Sequence, residues 1–183
     1  MESDFFIDLN RAMINFDRAI WAPTPQEEKR AILEDWFFDV ENLMNKGDIT
    51  DFRDLQRVFI ACETVMQAGY SIFFSRCFML MGMSVQTMIR LKAAPLSRLE
   101  VLGLTGYEAL KIQRRYVGDG HSSRGMLEVG KALMMLAGIN RKKIYVKKAI
   151  KACMVGREYV QYAENKDIEY DLNDVITRCW KMM

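Results

Sequence analysis

One histidine, three prolines and four cysteines without a CxxC pair remove several kinds of protein before anything else is read. His121 alone cannot supply a His-rich metal centre, and a zinc site would have to draw on Cys62, Cys77, Cys153 and Cys179, none of which stands at ligand spacing. Catalysis through His121 is not expected; it reads as an exposed loop residue. The cysteines fall among apolar neighbours, which points to buried free thiols in a reducing compartment rather than to disulfides. With few prolines and 50% hydrophobic residues, the chain is neither a disordered tail nor a loop-rich secreted scaffold. The opening MESDFFIDLN is acidic and lacks the basic region and apolar run of a signal peptide, so an intracellular location, cytoplasmic rather than nuclear, is the expectation. No metal, cofactor or enzymatic activity is expected.

Long hydrophobic runs are also scarce. The longest, Tyr70 to Met83 (YSIFFSRCFMLMGM), carries Arg76 near its centre and falls short of the roughly 20 residues of a membrane span. No transmembrane segment is therefore expected. A helix apolar on all sides and too short to span belongs inside a globule. The reading is all-α: a single helical domain over residues 1–183, with about eight to ten helices packed around this central one.

What is present is helical periodicity and helix punctuation. Phe5, Leu9, Met13, Phe16 and Ile20 recur at steps of three and four. Thr24-Pro25-Gln26-Glu27 reads as a helix start, with threonine as cap and proline at the first helical position, and Gly47 as its stop. Asp48 or Asp51 opens a third helix. Gly82 is expected to end the central helix and Ser84 to cap another, which Pro95 closes. Two capping boxes follow, Ser97 to Glu100 and Thr105 to Glu108, and predict two helices divided by Gly103. A helix from about Ser123 to Ala137 should stop at Gly138, one capped by Asn140 should run from about Arg141 to Ala163, and a last one should start at Asp171 with Trp180 inward. No β-rich region, repeat or linker is visible.

The net charge of +2 conceals a polarity. Residues 1–63 carry net −7, residues 64–163 net +11 and residues 164–183 net −2. Such a split suits a polyanion-binding face, or self-association of one molecule's acidic end with another's basic middle. The turn-like segment from Gly118 to Gly125 has glycines at P-loop spacing but continues Met126-Leu127 where lysine and serine or threonine are needed. A weaker possibility is an anion site at a helix start, using Ser122, Ser123 and Arg124.

The basic residues Lys111, Arg114, Arg115, Arg124, Lys131, Arg141, Lys142, Lys143, Lys147, Lys148 and Lys151 crowd into about forty positions, with Tyr116 and Tyr145 among them. Cations on packed helices can track a phosphate backbone while tyrosines stack on unpaired bases; a solvated lysine face with core tyrosines is the plainer account. Lysine predominates over residues 141–151, which suits backbone contact more than base reading. Two functions remain in view. The first is a non-enzymatic nucleic-acid-associated structural protein, binding the backbone of RNA or DNA, RNA ahead of DNA, and self-associating, of the general character of viral nucleocapsid or matrix proteins. The second is a helical adaptor that receives a partner protein's helix in an apolar groove; its support is the fourteen methionines, which suit adaptable surfaces.

Overall fold

The computed structural model describes residues 4–112 and 119–183, with side chains over residues 9–109 and 119–183. The described residues form eight α-helices and two short 3-10 turns, with no strand among them. They group into two compact units, Met1–Thr50 and Asp51–Met183.

The first unit is a helical hairpin of α1 (Asp4–Trp21) and α2 (Gln26–Lys46), joined by four residues. Leu9, Met13 and Phe16 of the predicted α1 stripe are buried, and the Phe16 ring lies 4.9 Å from that of Trp36 on α2. Thr24 is not the cap of α2. Pro25 takes the cap position with extended backbone (φ −54°, ψ 146°), so the helix starts one residue later than expected and has no side-chain cap. Gly47 ends it in the left-handed region, φ 74°, and its N–H donates to Met44.

In the second unit α3 (Phe52–Gln67) is capped by Asp51, whose carboxylate accepts the Arg53 N–H at 2.7 Å. A 3-10 turn, Ser71–Phe73, leads into α4 (Phe74–Arg90), the expected central helix. By length and composition Ser71–Arg90 could cross a membrane, yet 72% of its apolar window is buried inside the fold, packed against other helices. Then come α5 (Leu96–Ile112), α6 (Ser122–Asn140), α7 (Lys143–Glu158), a second 3-10 turn (Val160–Tyr162) and α8 (Ile168–Lys181).

Several expected breaks are absent. Gly82 does not end α4; a Cβ there would stand 2.5 Å from the Glu128 backbone, so the glycine admits α6 to close contact. The packing gained outweighs the ~1 kcal/mol helix cost of a glycine. Ser84 does not cap a new helix; its hydroxyl donates to the Leu80 carbonyl at 2.7 Å. Gly103 likewise sits inside a continuous α5, where a Cβ would meet Leu136 of α6, and Thr105 bonds back to Val101 instead of capping. Gly138 lies within α6, and the chain leaves that helix at Arg141, φ 55°. Helix α7 stops at Glu158 rather than Ala163, α8 begins before Asp171, and Trp180 is exposed.

Candidate nucleic-acid interface

The predicted cations divide by what their neighbours do with the charge. Lys111, Arg114 and Arg115 have side chains outside the described residues, as does Tyr116. Arg124 and Lys131 of α6 flank Glu128 at one helical turn on either side. The arginine Nε donates to its carboxylate at 2.8 Å and the lysine Nζ at 3.4 Å. Glu128 is itself buried and takes a 2.6 Å hydrogen bond from Gln86 of α4. These two cations therefore belong to a buried α4–α6 network.

Lys142 and Lys148 are also engaged. Lys142 pairs with Glu100 at 3.0 Å, and Asn140 donates to the same oxygen at 2.8 Å. Those two hydrogen bonds hold the Glu100 carboxyl below its usual range, and the bond to Glu100 pushes the Lys142 ammonium above its own. Lys148 reaches Glu108 at 3.3 Å and lies 4.1 Å from the Tyr107 ring centroid.

Arg141, Lys143, Lys147 and Lys151 remain. All four are exposed, and none is within ion-pair distance of an acid among the described residues. The three lysines repeat every fourth residue, so they line one side of α7 about 6 Å apart along its axis. The opposite side carries Tyr145, Ala149, Ala152, Cys153 and Gly156, all buried as their spacing predicts. Gly130 of α6 faces Cys153, where a Cβ would collide with the sulfur; this close approach holds α7 with its lysines outward.

The helix start read as an anion site is built differently. Ser122 and Ser123 are fully buried. The Ser122 hydroxyl receives the Asp119 N–H at 2.8 Å and meets Ser75 Oγ of α4 at 3.0 Å. The Asp119 carboxylate accepts the His121 N–H at 2.8 Å, so an acid already occupies this helix start. With Arg124 tied to Glu128, these three residues do not converge on a common outside point. Tyr145 is buried too and presents no ring to a base. Two other tyrosines are exposed: Tyr162, in the 3-10 turn after α7, with its ring 6.4 Å from that of Tyr159, and Tyr170 on α8.

No protein-family model, curated protein or solved structure matches this chain.

The thiols offer no competing chemistry. All four cysteines are free and buried. Burial pushes Cys153 up to about 12 and Cys179 to about 11, and it raises Cys77, which also hydrogen-bonds Cys62. Cys77, Cys153 and Cys179 therefore stay protonated and poorly nucleophilic at neutral pH. Among the described residues no three His, Cys, Asp or Glu side chains gather where they could hold a metal ion.

Proposed function

We propose that the protein is a non-enzymatic nucleic-acid-associated structural protein that holds a phosphate backbone along the outer side of α7. The carrying observation is the row of Arg141, Lys143, Lys147 and Lys151, exposed and without an acidic partner among the described residues. Two energetic features support the reading. Lys143, Lys147 and Lys151 are like charges at i,i+4, an arrangement that destabilises a free helix by roughly 0.2–0.5 kcal/mol per pair. Arg141, Lys142 and Lys143 moreover stand at the N-terminus of α7, where the helix dipole favours anions and no side-chain cap is present. A bound polyanion relieves both, and a single phosphate chain can run past successive lysines.

Backbone contact of this kind carries little sequence preference. Single-stranded RNA is favoured over a DNA duplex because Tyr162, exposed beyond the C-terminal end of α7, offers a ring for an unpaired base. Self-association belongs to the same proposal: residues 1–50 carry 11 acids against 5 bases, the opposite balance to residues 51–183. Binding of a fluorescein-labelled single-stranded RNA, followed by anisotropy from low to moderate salt, tests the reading. Four phosphate contacts on a single strand predict that log affinity falls with log salt at a slope of about −3. A salt-independent affinity, or none at low salt, would overturn it.

A further inference from the structure

A second surface of the Asp51–Met183 unit is built for a different kind of partner. Helices α3 and α5 each pack against α4 but make no appreciable contact with one another. Between them a trough of about 570 Å³ remains open. Its floor is the half-buried Phe74 of α4; Met81, seven residues on and hence on the same side of that helix, borders the trough but is itself buried. Val101, Leu104, Glu108 and Ala109 form the α5 wall, and Met66 with Glu63 the α3 wall. The α5 positions are spaced three, four and one, the stripe a helix shows to another helix, and Val101 on it is 53% exposed.

The two carboxylates set the chemistry of the occupant. Glu108 already has Lys148 at 3.3 Å, on the side towards α7. Glu63 has no hydrogen bond or ion pair among the described residues; its one charged influence is Arg98, outside ion-pair range. Burial against the apolar wall raises its pKa, and Arg98 offsets only part of that, so ionisation at neutral pH keeps a residual desolvation cost. A cation brought by an occupant would offset it. The apolar floor between helical walls asks at the same time for an apolar side about as long as the α5 stripe, roughly 12 Å or two helical turns.

The geometry points to this trough as the docking site for an amphipathic helix of a partner protein, with its apolar face on Phe74, Met66, Val101 and Leu104 and a lysine or arginine at its edge paired with Glu63. The flexible thioethers of Met66 in the wall and Met81 beneath the floor let the trough adjust to different apolar side chains. This inference does not rest on the polyanion reading, since none of the trough residues belongs to the unpaired row on α7.

The test uses the full chain with ¹³C-methyl methionine and a synthetic Leu/Lys amphipathic peptide of about four turns, long enough to cover the trough. A second peptide with the same apolar face and glutamates for lysines is the control. The expected result is saturable movement of the Met66 and Met81 methyl signals by the lysine peptide, with Met126, buried under α7 and α8, unmoved. Glu63→Lys on the half-buried rim should weaken the lysine peptide by at least about tenfold. Val101→Asp, at an exposed position that leaves the core untouched, should block both peptides. No methyl movement up to about 1 mM peptide, equal binding of the two peptides, or indifference to Glu63→Lys would overturn the proposal. Movement of the same methyls on adding unlabelled protein alone would also overturn it, by making the occupant a second copy of this chain.

Discussion

Helices α6 and α7 lie against each other and both carry cations, yet they use them in opposite ways. On α6, Arg124 and Lys131 stand four and three residues from Glu128, and the acid gathers both. On α7 no acid stands three or four residues from Lys143, Lys147 or Lys151; those positions hold asparagine, isoleucine, valine, methionine or another lysine. The α6 charges tie a helix into a core, whereas the α7 charges repel one another on a surface. A count of basic residues treats the two sets alike. What separates them is whether an acid is within one turn, and only the unpaired set is free to meet an external anion.

The largest expected effect comes from releasing the α6 set. Gly82→Val would place side-chain carbon within the van der Waals radius of the Glu128 and Val129 backbone, which cannot move as a side-chain tip can. Overpacking of that kind costs about 3 kcal/mol, visible as a lower melting temperature, with the Gln86–Glu128 contact broken in the surviving folded protein. A smaller change sharpens the contrast from the other side. Lys147→Glu puts an acid four residues from both Lys143 and Lys151, so it should raise stability by about 0.5–1 kcal/mol while weakening RNA binding by about tenfold. Urea unfolding and anisotropy on one preparation read both signs; a loss of stability with unchanged binding would place the row in the fold rather than at an interface.

The smallest effect is pH-dependent and concerns the tie between α5 and the start of α7. Glu100 has a folded pKa below its ordinary 4.5, so the stability it contributes is complete above that value and disappears as pH falls through the lower, folded value. Lys142 has the reverse sign: its contribution is present below 10.5 and is lost as pH rises through its raised folded value. Glu100→Gln should flatten the acid limb of a stability–pH curve, and an unchanged limb would remove this tie from the account.

The all-α architecture and the central helix were legible in the sequence because apolar spacing and caps are local signals. Asp51, Gly47 and the small-residue face of α7 fall where spacing places them. The breaks expected at Gly82 and Gly103 are absent because a glycine that ends a helix and one that admits a neighbouring helix look the same in one dimension. The buried place of α6 was hidden for the same reason, its inner surface being built from Gly125, Gly130 and Ala132 as much as from leucines. At the interface, the exposed lysines of α7 were visible from their spacing. The pairing of Lys142 with Glu100 and of Lys148 with Glu108, and the contact of Ser122 with Ser75, depend on residues about forty positions away and left no local mark.

The central claim is tested most directly by comparing two variants in one RNA-binding salt series. One carries Lys143→Glu, Lys147→Glu and Lys151→Glu; the other carries Arg124→Gln and Lys131→Gln. The account predicts that the α7 variant remains folded, loses about two orders of magnitude in affinity and gives up about two units of salt slope, one phosphate contact for each lysine. The α6 variant should lose stability yet bind within about threefold of the parent. Equal losses in the two variants, or undiminished binding by the α7 variant, would contradict it.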